Sequence, residues 1–410
     1  MKNDQATHGV TSETIDVTRR SDRSIRMAIL QKILFLLKTY LARAKKHFPP
    51  GSVRLKPPAA VYKKCTVQER QLDGIWIYDL EAKRTSRHQH IPRVNTAAHG
   101  PEGTFPDAQR KRRIYYFAGG GWQMPVSSHH WELLAEIVRR LSESPSKGKD
   151  SPIPTIISII SYPLAPASPA PVTFPKLVRL YESLLRTSSD AGEYVILAGD
   201  SAGGNLACAL AIHALSETRP EPKETSMPTE EDKEIGKTNT SLAPDAILAL
   251  CPSVFLCRDN DSPTLKSIEK KDPLLSINFI SDTADAWVGK WQEKGRRLRA
   301  DAPTEEVVSE PPKGLPEPWE KTDPRVSPLL GDVAALARAG VRVHGTTGGY
   351  DLLSGDARKF RDRCNEEGVH GKWLEWDKQM HCWHLIWSLG LPEAKQAVDW
   401  MVEVLREEGA

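Results

Sequence analysis

Apolar and polar positions follow two rhythms along the chain. Short β-branched or aromatic runs at 74–78, 113–117, 154–160, 193–198, 245–250, 341–344 and 372–376 each read as a strand. The run at 154–160 is β-branched at almost every residue, as expected of a strand buried on both faces. Stretches of helical period, such as 131–141, 175–186 and 202–215, lie between most of these runs. Strands alternating with helices predict an α/β fold with a mainly parallel sheet and helices on both faces.

Three stretches break the rhythm. Residues 143–152, 217–240 and 293–324 are rich in charge, Ser, Thr or Pro and lack an apolar period. None could bury a core, so all three read as surface insertions. Near the start, Leu30, Ile33, Leu34, Leu37 and Leu41 fall at helical spacing and are expected to share one face. The apolar stretch 27–41 is too short to span a bilayer and is interrupted by Gln31, Lys32 and Lys38. From Arg19 to Lys56 there are eleven Lys or Arg and a single acid, Asp22. Residues 1–59 therefore read as a basic amphipathic segment, a cap or lid ahead of a domain spanning 60–410. Two readings of its helix stand open: packing on the domain, or peripheral contact with an anionic membrane. The polar residues 1–26 carry no secretory pattern, so the expected compartment is intracellular, cytoplasmic or at a membrane surface.

Composition removes several function classes. The 56 basic and 53 acidic residues give a net charge of +3, too balanced for a nucleic-acid binder. Eleven Trp and eight Phe are too many for a largely disordered chain. Six Cys without paired spacing make neither a disulfide framework nor a zinc motif, and no phosphate loop is present. Neither cofactor nor metal is expected, and nothing in the sequence sets an oligomeric state.

Gly199-Asp-Ser-Ala-Gly203 matches Gly-x-Ser-x-Gly, directly after the apolar run ending at Ala198 and at the start of a helical run. That strand–turn–helix setting is what a nucleophile elbow requires. Gly199 and Gly203 leave room for the sharp turn that raises Ser201, and the helix beginning at Ala202 aims N–H groups toward a developing oxyanion. Upstream, Phe117-Ala-Gly-Gly-Gly-Trp122 closes a strand with a loop whose N–H groups could approach a reacting carbonyl. After the run 341–344, a Gly-rich loop reaches Asp351, with Asp356 as a second acid. After 372–376, His381 and His384 are two candidate bases. His344 and His370, in or before strands, read as structural.

Gly199-Asp-Ser-Ala-Gly-Gly204 and Phe117-Ala-Gly-Gly-Gly-Trp122 together resemble the hormone-sensitive-lipase-like branch of the α/β-hydrolase superfamily, as do Ser161-Tyr-Pro-Leu-Ala-Pro166, Asp272-Pro-Leu-Leu-Ser276 and Ser327-Pro-Leu-Leu330. Ala118 stands where that family has His before its glycines, and Pro163 and Ala167 replace an Arg and a Glu. The resemblance implies an eight-stranded α/β-hydrolase sheet with a helical cap, the catalytic domain running over 60–410. It also implies cofactor-free hydrolysis of a small-molecule carboxylic ester or lactone. Family position favours Asp351 over Asp356 and His381 over His384 as partners of Ser201. Gly120, Gly121 and Ala202 would donate to the oxyanion, and Trp122 and Trp383 would line the substrate pocket. The rival readings are a non-catalytic ligand-binding protein on this fold, and an amidase, acyltransferase or cyclase using the same residues.

Overall fold

Nine strands build one sheet in the computed structural model, which describes residues 13–41, 48–83, 110–143, 152–217, 242–290 and 314–409. They are β1 (Ile15–Arg20), β2 (Cys65–Leu72), β3 (Ile75–Ala82), β4 (Arg112–Phe117), β5 (Thr155–Ser161), β6 (Tyr194–Asp200), β7 (Ala246–Leu250), β8 (Arg342–Tyr350) and β9 (Gly371–Met380). Their spatial order is β1-β9-β8-β7-β6-β4-β5-β3-β2. Every neighbour pair from β1 through to β5 is parallel, whereas β3 runs antiparallel to both β5 and β2.

The seven runs read as strands are all in the sheet. The two additional strands, β1 and β2, make nine where the family resemblance implied eight. Both lie at sheet edges and carry mostly polar, solvent-facing residues, Ile-Asp-Val-Thr-Arg-Arg and Cys-Thr-Val-Gln-Glu-Arg-Gln-Leu. An edge strand needs no continuous apolar run, so the period that marks central strands is missing.

Side-chain alternation divides the core between the two faces of the sheet. Tyr115, Phe117, Val195 and Leu197 point to one face, with helices Ala170–Asp190, Ala202–Glu217 and Ser354–Glu366 packed there. Ile114, Tyr116, Ile196 and Ala198 point to the other, against helices Ser128–Leu141 and Pro392–Glu407. Both faces of the central strands are thus dry, which is why they are apolar throughout.

Of the segment 1–59, the described part 15–41 joins the sheet: β1 pairs in register with β9, and the helix Ile25–Leu41 follows it. Gln31 donates to the Lys378 carbonyl (3.0 Å), and Lys38 Nζ donates to the carbonyls of Glu269 (3.1 Å) and Asp272 (2.9 Å). The inward face is Met27, Gln31, Leu30 and Leu34, while Ile33 and Leu37 are exposed together with Ile25, Ile29, Phe35 and Leu36. The single apolar face expected from spacing is therefore split, because a satisfied Gln31 occupies the buried row. Most of the three expected insertions (144–151, 218–241 and 291–313) lies outside the described residues. So does the structure of 1–12, and no described helix is long and apolar enough to cross a membrane.

Candidate active site

Loops at the carboxyl ends of five parallel strands, β4, β6, β7, β8 and β9, touch one another above the middle of the sheet. β6 ends at Asp200 and the next helix begins at Ala202, leaving Ser201 alone on the bend at φ 52°. That left-handed backbone is disfavoured for a residue with a side chain and is held by its surroundings. The Ser201 N–H donates to the Leu250 carbonyl (2.9 Å), and the Ser201 carbonyl accepts from the N–H of Ser253 (3.1 Å). A Cβ at position 203 would lie 1.8 Å from the Phe117 carbonyl oxygen, and one at 199 would lie 2.4 Å from the Gly203 backbone. Only glycine fits at either place. Ser201 keeps exposed surface while Asp200 and residues 202–205 are buried.

The Gly-rich loop after β4 follows the same logic. Gly120, Gly121 and Trp122 have φ of 123°, 59° and 57°. Tyr162 donates its hydroxyl to the Ala118 carbonyl (2.7 Å), and the Ala165 N–H donates to the Trp122 carbonyl (2.8 Å). The stretch 161–166 therefore braces this loop from behind, through Tyr162 and the backbone, without needing the replaced side chains at 163 and 167. Asp200 ties the loop to the elbow: its Oδ1 accepts from the Gly119 N–H (2.9 Å) and the Tyr116 hydroxyl (2.7 Å). Its Oδ2 lies 3.2 Å from His130 Nε2. Burial opposes the Asp200 charge, but His130 and Tyr116 outweigh it and hold the carboxyl below the usual carboxylate range.

Of the paired candidates, Asp351 and His381 touch each other. His381 Nδ1 is 2.8 Å from Asp351 Oδ2, and Asp351 Oδ1 accepts from the Leu353 N–H (2.8 Å). In the neutral imidazole a carboxylate on Nδ1 keeps the proton there and puts the lone pair on Nε2, which lies 3.4 Å from Cys382 Sγ. Burial works against a charged His381, yet the Asp351 carboxylate prevails and raises its pKa to about 9. Asp356 instead pairs with Arg258 (2.7 Å). His384 is fully buried edge-on to Trp383, and burial pushes its pKa down to about 3.

Short contacts link the pair to the elbow. Cys382, next to His381, has its Sγ 3.8 Å from Asp200 Oδ2. Cys251, next to the Leu250 that receives the Ser201 N–H, has its Sγ within 4.8 Å of a His381 ring nitrogen. Gly120, Gly121 and Ser201 are partly exposed and His381 is 7% exposed, whereas Ala202 is buried at the first residue of its helix, where N–H groups lack intrahelical partners. The two Trp expected to line the pocket sit in the core: Trp122 stacks on Trp287 (5.5 Å, 6° between planes), and Trp383, fully buried, packs edge-on to Trp376 (6.2 Å). Neither presents open surface to a ligand.

The family model of the alpha/beta hydrolase fold matches residues 114–385, which span both glycine motifs, Asp351 and His381. The chain belongs to this family. This α/β hydrolase is 22% identical over 298 residues to an esterase of Acinetobacter venetianus, covering 71% of this chain and 73% of that one. It is 25% identical over 319 residues to Esterase LipU of Mycobacterium tuberculosis, covering 77% and 85%. Its fold is similar to carboxyl esterase 2 of the fungus Tuber melanosporum, with a TM-score of 0.60 at 15% identity over 93% of this chain and 99% of that one. It is an α/β hydrolase of the esterase and lipase type.

Of two further residues of this hydrolase's site, His130 escaped the sequence reading and Asp272 carried no role in it. His130 faces Asp200 from the first turn of helix Ser128–Leu141, where it also completes a capping box with Ser127. No spacing rule connects it to the elbow. Asp272 is fully buried, with Oδ1 accepting from Leu274 and Leu275 (both 2.8 Å) and Oδ2 from Leu352 (2.9 Å). It thereby pins the loop that carries Asp351. Burial first, then the nearby Asp351 charge, raise the Asp272 carboxyl to about 6. The Asp272-Pro-Leu-Leu-Ser276 run marked it, though only as a family likeness.

Proposed function

We propose that this hydrolase cleaves a small or medium hydrophobic carboxylic ester through an acyl-enzyme on Ser201. His381 Nε2 takes the hydroxyl proton as Ser201 attacks the carbonyl, then returns it to the leaving alcohol. Asp351 holds the tautomer and offsets the imidazolium charge. The N–H groups of Gly120, Gly121 and Ala202 receive the oxyanion, and loss of one such donor typically costs about 3 kcal/mol of barrier. Water activated by the same His381 then releases the acid. The observation that carries this reading is the strained, partly exposed Ser201 on its glycine-flanked bend, with the buried His381–Asp351 pair joined to that bend through Cys382 and Cys251. Wild-type protein should turn over short p-nitrophenyl esters, and Ser201→Ala should lose at least about 10⁴-fold in kcat. Undiminished turnover in that variant would refute the assignment.

The outward face of the helix Ile25–Leu41 favours a membrane surface as the site of action. Ile25 and Leu36 are each 80% exposed, with Ile29, Ile33 and Leu37 beside them. A cleft of about 410 Å³ runs under this helix, lined by Phe35 and Leu36 and rimmed by Arg23, Lys32, Lys270 and Lys271. Each large apolar side chain gains about 1.5–3 kcal/mol on leaving water. Each cation near an anionic bilayer adds about 1 kcal/mol. The chain should float with phosphatidylserine vesicles, and Ile33→Asp with Leu36→Asp should abolish this without changing turnover of a soluble ester. Wild-type protein left unbound would contradict it.

A further inference from the structure

Two thiols and the imidazole proposed as general base converge at one point, although they are far apart in sequence. Cys251 follows β7, while His381 and Cys382 follow β9. Their ligand atoms lie within 4.8 Å of one another, and His381 Nε2 is 3.4 Å from Cys382 Sγ. Tetrahedral zinc, with bonds of about 2.3 Å to sulfur and 2.05 Å to nitrogen, sets its N and S ligands about 3.6 Å apart. The His381–Cys382 spacing already suits a shared ion, and Cys251 Sγ lies within 4.8 Å of both.

The surroundings match as well. His381 donates its other nitrogen to Asp351 at 2.8 Å, the carboxylate–histidine arrangement that orients metal-binding imidazoles. Cys251 and Cys382 hold their sites at φ of 46° and 49°, left-handed conformations that aim both side chains from sharp bends. Cys251 is fully buried, but His381 and Cys382 each retain 7% exposure beside the partly exposed Ser201.

We propose that Cys251 Sγ, Cys382 Sγ and His381 Nε2 form a site for a thiophilic divalent cation of the Zn²⁺ class, whose binding shuts the hydrolase off. The inhibition rests on the reading of His381 as general base; the site itself does not. On binding, each thiol releases its proton to solvent, and two thiolates neutralise the dication. The imidazole contributes its neutral lone pair, leaving a fourth position for water. The lone pair that would deprotonate Ser201 is then occupied, so turnover stops until the metal leaves.

Co²⁺ added to the full chain is the direct probe. One equivalent should give sulfur-to-cobalt charge-transfer absorption and intense tetrahedral visible bands, both removed by Zn²⁺. Zn²⁺ should inhibit ester turnover at the same stoichiometry, with chelator restoring it. Cys251→Ser, with inhibition read against its own metal-free turnover, should need about 100-fold more Zn²⁺. Cys382→Ala provides the same comparison from the other thiol. Turnover without a cobalt–thiolate signature, or variants as zinc-sensitive as wild type, would overturn the site and leave the hydrolase reading intact. A cobalt–thiolate signature in a chain that hydrolyses no ester would uphold the site and remove the role given to His381.

Discussion

Burial alone would strip the proton from His381, as it does from His384 three residues on. The difference is one carboxylate at 2.8 Å. With Asp351 present, the His381 pKa rises to about 9. Two consequences have opposite signs. The charged imidazole stabilises the fold fully below its unfolded value of about 6.5, and that contribution is lost as pH rises through about 9. The proposed mechanism needs the neutral base, so kcat/KM should climb across the same window. Asp351→Asn removes the carboxylate and leaves burial in control. Its pH midpoint should shift down while kcat drops by about 10³–10⁴-fold. A pH–rate profile of both proteins checks this, and an unmoved midpoint would contradict it. The sequence narrowed each choice to two residues. Family position favoured Asp351 and His381; the structure adds that these two touch, while Asp356 pairs with Arg258, a partner far along the chain that local pattern cannot reveal.

At the scale of elements, the elbow and the glycine loop act as one unit because Phe117 and Gly203 are in contact. β4 and β6 are neighbours in the sheet, so the end of one strand presses on the first turn after the other. Gly203→Ala would drive a methyl into the Phe117 carbonyl and should destabilise the fold by about 3 kcal/mol. Urea denaturation measures this, and a variant of wild-type midpoint and activity would refute the packing described. Both motifs were legible, since glycine spacing is dictated by backbone sterics. The central strands were legible because both their faces are dry. β1 and β2 were not, because neither edge strand carries a long apolar run; the one local mark of β2 is the Asp73-Gly74 turn that joins it to β3, with both residues at positive φ. The helix Ile25–Leu41 was legible as a helix but not in its orientation, which Gln31 and the Lys378 carbonyl decide together.

At the scale of the whole molecule, parallel strands send their carboxyl ends to one edge of the sheet. Residues from five loops, spread from Gly119 to His381, meet there although none is near the others in sequence. That convergence explains why the family could be read from short motifs while the cluster of Cys251, His381 and Cys382 could not: no motif spans it. The central claim is that Ser201 is the activated nucleophile of this convergence. Labelling with a fluorophosphonate, followed by peptide mass mapping, tests it most directly. A single adduct on Ser201 is expected, absent in Ser201→Ala and strongly slowed in His381→Ala. An adduct on another residue, or ester turnover in a chain that takes no label at all, would contradict it.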